Sequence, residues 1–147
     1  MILFEISLNV LAKGGPLSVI RVVVNGATGR MGTETLDAIC QEEGLEVVGA
    51  VSHRDRGDML KLSDGSDIPL STDLESILLM TKPSVVIDFT NASVCMAAVP
   101  TIAKHSVNMV LGASGLTEEN LEFLDREAIK RSIGIVCLLY TSDAADE

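Results

Sequence analysis

Residues 19–44, VIRVVVNGATGRMGTETLDAICQEEG, set three glycines within seven positions directly after a β-branched run. Ile20–Asn25 reads as a strand buried on both faces. Met31–Gln41 reads as an amphipathic helix, with Leu36, Ile39 and Cys40 on one side and Glu34, Asp37 and Gln41 on the other. Between them, Gly26-Ala27-Thr28-Gly29-Arg30-Met31-Gly32 has the spacing G-x-x-G-x-x-G. Each glycine answers a steric demand: a tight turn, close approach of backbone to a pyrophosphate, and close packing of helix on strand. The free N–H groups of the helix start then face the anion. Arg30, beside the loop, is placed to serve the phosphates.

The rest of the chain repeats this strand–helix alternation. Leu45–Val51 is a second buried strand, and residues 52–68, polar and rich in Gly and Asp, read as a mobile loop. A short strand at Ile68–Leu70, a helix over Asp73–Met80 and a core strand at Ser84–Phe89 follow. A helix over Ala92–His105 contains Pro100, which is expected to bend or interrupt it. Asn108–Leu111 is a strand, and Thr117–Arg131 a helix with Thr117 as N-cap. Its acids lie in the first turn and its bases in the last, matching the helix dipole. Gly134–Val136 begins one more strand. Such alternation with short connections implies right-handed crossovers and a doubly wound parallel sheet, a Rossmann-like α/β domain.

Composition agrees and excludes other classes. Hydrophobic residues make up 47% of the 147 but aromatics only 3%, which suits an aliphatic layered core. The net charge of −10 argues against nucleic acid or an anionic membrane as partner. Cys40, Cys95 and Cys137 follow no pairing or metal-ligand spacing and read as small hydrophobes of a reducing, cytoplasmic protein.

In an open parallel sheet, ligands lie outside the carboxyl ends of the strands. The second strand runs out into Ser52-His53-Arg54, where an NAD-specific site usually holds an acid. None is present; Arg54, helped by His53, is placed to meet a 2′-phosphate, which favours NADPH over NADH, the other reading being two solvated loop residues. Two more strand ends belong to the same rim. Asp88-Phe89-Thr90 closes one core strand and Gly112-Ala113-Ser114-Gly115 the next. Their plainer roles are a helix N-cap, at Thr90 or Asn91, and a glycine turn.

VNGATGRMG, VVIDFT and VLGASG, in this order and spacing, resemble the N-terminal domain of the 4-hydroxy-tetrahydrodipicolinate reductases, over about Ile20 to Val136. The resemblance implies that Gly26–Met31 wrap the pyrophosphate of NADPH or NADH and that His53 and Arg54 face the adenosine ribose. It places Phe89 and Thr90 near the nicotinamide ribose and Gly112, Ala113 and Ser114 near the carboxamide. The family usually has Gly-Thr-Thr-Gly at this last position, so Ala113 lacks a threonine hydroxyl. The implied reaction is hydride reduction of a cyclic imine or its hydroxylated precursor, hydroxy-tetrahydrodipicolinate, in the diaminopimelate route to lysine. The family's proton-donor histidine, substrate-binding lysine and tetramer contacts belong to a second domain. No catalytic or metal-binding residue is therefore assigned here, His105 reads as a surface residue, and this chain by itself is expected to be neither active nor tetrameric.

The same loop occurs in extended short-chain dehydrogenases, whose Tyr-x-x-x-Lys pair is missing because Ala144 follows Tyr140 at that spacing. Non-catalytic NmrA-like sensors share the loop as well, although the sensor reading leaves Asp88–Thr90 and Gly112–Gly115 unaccounted for, and a CoA- or nucleotide-binding subunit with the same fold is the third reading. The termini read separately from residues 19–136. Residues 1–18 are expected to be a non-native or disordered extension, since Lys13-Gly14-Gly15 is compatible with a ribosome-binding sequence ahead of a start near Val19; a short extra strand is the alternative. Residues 137–147, CLLYTSDAADE, back-translate to a transposon sequencing adapter and are expected to derive from one.

Overall fold

The computed structural model describes residues 18–138. Seven strands form one sheet in the order β3-β4-β2-β1-β5-β6-β7. In chain order the elements are β1 (Ile20–Asn25), α1 (Arg30–Cys40), β2 (Leu45–Val51), β3 (Met59–Lys61), β4 (Asp67–Ser71) and α2 (Leu74–Thr81). They continue with β5 (Val85–Asp88), α3 (Ala92–Lys104), β6 (Asn108–Leu111), α4 (Glu118–Arg131) and β7 (Ile135–Cys137). All pairings are parallel except β3 with β4. The chain winds outward from β1 through β2 to β4, then returns to the other side of β1 for β5, β6 and β7. The switch point of a doubly wound sheet therefore lies between β1 and β5.

The central strands are apolar along their length because both faces are covered. Val22, Val24, Ala50 and Ile87 pack with Leu36 and Ile39 of α1. Val23, Val86, Met109 and Leu111 pack on the opposite face with Ile77 of α2, Cys95, Val99 and Ile102 of α3, and Leu124 of α4.

Several expectations are corrected. The 52–68 segment is not all loop, since β3 lies inside it as an antiparallel edge strand paired with β4, Leu60 opposite Ile68. Leu60 is half-buried against the core and Leu62 fully buried, which anchors the hairpin. Pro100 does not interrupt α3, which runs continuously to Lys104. Pro100 is exposed, and its missing N–H leaves the Met96 carbonyl without its intrahelical donor. His105 is not a free surface residue either. It is the C-cap of α3, its side chain is 21% exposed, and its Nε2 lies 3.1 Å from Glu75 Oε1. Elsewhere β2, β6 and the Thr117 N-cap stand where expected, and Asn120 completes a capping box with Thr117. β7 takes in Cys137, and the Leu138 N–H donates to Leu111 O at 2.8 Å. The calls on residues 1–17 and 139–147 lie outside the described residues.

Candidate functional site

The glycine loop is fixed to the sheet by its backbone. The N–H groups of Gly26 and Ala27 both donate to Val51 O, at 2.9 and 3.0 Å. Gly26 has φ +81, which only glycine adopts readily, and a Cβ there would come 2.9 Å from Thr90 Cγ2. Gly32 is the packing glycine: a Cβ would stand 2.0 Å from Gly26 O. Gly29 is different. Its backbone is extended and a Cβ would meet only Gly26 O, at 3.5 Å, so the space beside it is open.

Gly29 is also the N-cap of α1, where no side chain caps the free N–H groups. Helices α2, α3 and α4 are each capped by a side chain, of Asp73, Asn91 and Thr117 respectively. The first turn of α1 carries no acid. Its N–H groups and dipole thus remain available to an anion, at the one helix start along the cleft that no side chain caps. A pyrophosphate suits this donor set.

The loop opens into a cleft of about 820 Å³ lined by Asn25, Gly26, Thr28, Gly29, Ser52, His53, Phe89 and Thr90, with the starts of α2 and α3. Six predicted residues are thereby brought together: Gly26, Thr28, Gly29, His53, Phe89 and Thr90. Ala27 is buried beneath the loop, whereas Arg30 and Met31 are exposed on the first turn of α1. Arg54 is exposed beyond His53, and its backbone N–H donates to Ser52 Oγ at 3.2 Å. Gly112, Ala113 and Ser114 do not line the cleft. The Phe89 ring lies across Gly112, with Cε1 2.2 Å from where a Cβ would be, and so separates that turn from the cleft. Asn91, rather than Thr90, is the N-cap of α3.

Sequence reasoning placed Asp88 at the rim without a role and missed the parts played by Asn25 and Ser52. Asp88 is fully buried, accepting from Asn25 Nδ2 at 2.9 Å, Thr90 N at 2.8 Å and Thr90 Oγ1 at 2.5 Å. Ser52, 1% exposed, has its Oγ 2.9 Å from Thr28 Oγ1, which ties the phosphate loop to the end of β2. The one signal for Asn25 and Ser52 is a polar residue closing an apolar strand. At the α2 end of the cleft, Glu75 is paired with Lys104 Nζ at 2.7 Å and with His105. Lys104 first, then His105, hold its carboxyl below the usual range. This pairing offsets a negative charge that would oppose an anionic ligand.

Fold and site together define a dinucleotide-binding domain of the doubly wound class. The family model described as "Dihydrodipicolinate reductase, N-terminus" matches residues 20–138. The chain belongs to this family, and its domain is the NAD(P)-binding one. It is 47% identical over 118 residues to a 4-hydroxy-tetrahydrodipicolinate reductase of Dehalococcoides mccartyi, covering 80% of this chain and 45% of that protein. A reductase of the same name from Methanocaldococcus jannaschii is 36% identical over 125 residues, covering 80% of this chain and 46% of that one. The dipicolinate-bound dihydrodipicolinate reductase of Paenisporosarcina sp. TG-14 superposes with a TM-score of 0.68 at 28% identity, covering 81% and 46% of the two chains. Homoserine dehydrogenase of S. aureus, at 12% identity and a TM-score of 0.66, shares the fold alone. The chain thus spans about half the length of the curated relatives it matches. The sensor and CoA-binding readings gain nothing from these relatives. Among the described residues, no helix is long and apolar enough to cross a membrane.

Proposed function

We propose that this chain supplies the cofactor-holding half of a 4-hydroxy-tetrahydrodipicolinate reductase, acting in the cytoplasm on hydroxy-tetrahydrodipicolinate. The observation that carries this is the uncapped N-terminus of α1, opening with Gly29 into a cleft at the switch point of a family member. Gly26, Thr28 and Gly29 hold the pyrophosphate, Arg30 adds charge from the rim, and Thr90 and Asn25 face the second ribose. Gly112, Ala113 and Ser114 close the far end of the site once Phe89 turns away from them. Arg54 and His53 read the 2′-phosphate and make NADPH the preferred cofactor. Reduced nicotinamide, when bound, would supply the hydride that takes the place of the substrate hydroxyl, which leaves with one proton as water.

The described residues around the cleft orient the cofactor and include no residue assigned to donate that proton. The proton donor, the substrate contacts and the tetramer interface are proposed to lie in a second domain, so the 147-residue chain binds cofactor without turnover. Titrating the chain with NADPH and NADH, followed by a turnover assay with freshly generated substrate, tests both parts. Absence of nicotinamide nucleotide binding refutes the cofactor role, and turnover comparable to a full-length reductase refutes the two-domain division. We propose further that residues 137–147 are adapter-encoded and residues 1–18 non-native. Cys137 and Leu138 join β6 through backbone hydrogen bonds, which most sequences can supply. Genomic DNA encoding Cys137–Glu147 followed by a stop codon would refute the first of these assignments.

A further inference from the structure

Asp88 ends β5, on the side of the switch point away from the adenosine half of a bound dinucleotide. It is 0% exposed, and its carboxyl oxygens accept from Asn25 Nδ2, Thr90 N and Thr90 Oγ1, the last of which also lies 3.3 Å from Asn91 O. A carboxyl that only accepts is bonded as an ionised carboxylate. All three donors are neutral. The ion pairs among the described residues join Lys61 to Asp67 and Lys104 and His105 to Glu75, and none reaches Asp88. Its negative charge is thus held beneath the cleft floor without a cation, beside the start of α3, whose dipole favours it. The field extends into the surroundings: burial first, then the Asp88 charge, push the Cys95 thiol up to about 12. Nothing in the hydrogen bonding requires that charge, since an asparagine at position 88 with the Asn25 amide turned would satisfy the same groups. A buried charge without a cation is costly even when it is hydrogen-bonded, so its presence calls for a charge-dependent role.

We propose that Asp88 sets the redox poise of the bound nicotinamide by favouring the cationic oxidised ring over the neutral reduced one. The inference rests on the proposed cofactor role, with the nicotinamide half lying over the ends of β5 and β6. When a C4–H bond of the reduced ring breaks and its hydride, two electrons and one proton, takes the place of the substrate hydroxyl, the ring gains one positive charge. The hydroxyl leaves with its bonding pair and takes up a proton to depart as water. A fixed anion in a low-dielectric floor lowers the energy of the state in which that charge has formed. Asp88 acts through space and touches no reacting atom.

Asp88→Asn removes the charge and keeps the shape. Dissociation constants of NADPH and NADP+ are measured on the full 147-residue chain by fluorescence and calorimetry. The NADP+/NADPH ratio of dissociation constants is expected to rise at least fivefold, and the NAD+/NADH ratio by the same factor, because the 2′-phosphate takes no part. Thr90→Val removes a hydrogen bond without removing the charge, and is expected to change the affinity for both oxidation states equally. If Asp88→Asn does not fold, Asp88→Ser, a smaller neutral acceptor, takes its place in the same measurement. A ratio within twofold of the parent in the neutral variant overturns the inference alone, as does an equal ratio shift in Thr90→Val. A parent chain that binds neither oxidation state overturns the cofactor role, and the inference with it.

Discussion

Alanine at position 32 and alanine at position 29 should separate folding from binding within one loop. Gly32 is buried inside α1, where alanine would ordinarily gain about 1 kcal/mol over glycine. Here its Cβ would stand 2.0 Å from Gly26 O and 2.8 Å from Ala27 Cα, both backbone atoms. Relief requires the loop to retreat by more than an ångström. That retreat breaks the two bonds from Gly26 and Ala27 to Val51 O. Their loss costs about 1 kcal/mol each. Residual overpacking adds about 1–3 kcal/mol. After the helix-propensity gain is subtracted, Gly32→Ala should cost about 2–4 kcal/mol, or roughly 8–15 °C in Tm for a domain of this size. At Gly29 the backbone is extended and the nearest atom 3.5 Å away, so Gly29→Ala should fold with stability within about 1 kcal/mol of the parent. Its methyl group points into the space left for the anion, so NADPH affinity should fall at least tenfold. Urea unfolding followed by circular dichroism, with NADPH titration of each variant, measures both. A Gly32→Ala stability within about 0.5 kcal/mol of the parent would show that the loop is softer than its hydrogen bonds imply. Unchanged NADPH affinity in Gly29→Ala would refute the anion site.

Arg54→Ala should weaken NADPH at least tenfold and NADH less than twofold, as expected for one charge-assisted contact of about 1.5–3 kcal/mol; equal losses in the two titrations would remove Arg54 from the 2′-phosphate. Thr117→Ala breaks the capping box with Asn120 and should cost about 1 kcal/mol in urea unfolding, leaving NADPH affinity unchanged. Cys95 should resist thiol reagents at pH 8 in the folded chain and react once urea is added. Its thiol is raised from 9.0 to about 12, so the stability gained by keeping it neutral is complete below pH 9.0 and is lost as pH rises towards 12. Unfolding measured across that alkaline range should show a slope that Cys95→Ala reduces, and an unchanged slope would count against it.

Legibility in the sequence followed the length and regularity of the signal. Leu45–Val51 and Asn108–Leu111 are apolar runs whose burial on both faces leaves no competing assignment, and both strands have those bounds. Met59–Lys61 is too short to show a period, and it is a strand only because Ile68 and its neighbours pair with it from across a turn. Pro100 was expected to bend or interrupt α3 from local chemistry alone, but the helix runs on without interruption, with Val99 and Ile102 packed into the core on either side. At the site, the glycine spacing was visible because three steric demands fall within one turn of chain. Asn25 and Asp88 are 63 positions apart, and Thr28 and Ser52 are 24 apart. Such pairs are made by strand order, which no local pattern records. Phe89 was expected near the cofactor, but that its ring lies on Gly112 follows only from β5 and β6 being neighbours.

The strand ends that form the site are interlocked before any ligand arrives. Gly26 and Ala27 donate to Val51 O, Phe89 N donates to Asn25 O, and Gly112 N donates to Asp88 O. Four adjacent strands, β2, β1, β5 and β6, are thereby joined at their carboxyl ends into one ledge. A ligand that uses this ledge need not pay to order it, which is how a short glycine loop with few side chains can hold a pyrophosphate. The groups proposed to distinguish NADPH from NADH lie outside that lock. His53 and Arg54 are both exposed, and Ser52 Oγ, accepting from the Arg54 N–H, is the contact that ties their turn back to the rim. Substitutions there change which cofactor is preferred at little cost to the fold, whereas substitutions at Gly26, Gly32 or Gly112 meet the Thr90 methyl, the loop backbone or the Phe89 ring at once. The steric constraint thus falls on holding the pyrophosphate, and the choice of nucleotide is left to side chains that the sheet can exchange freely.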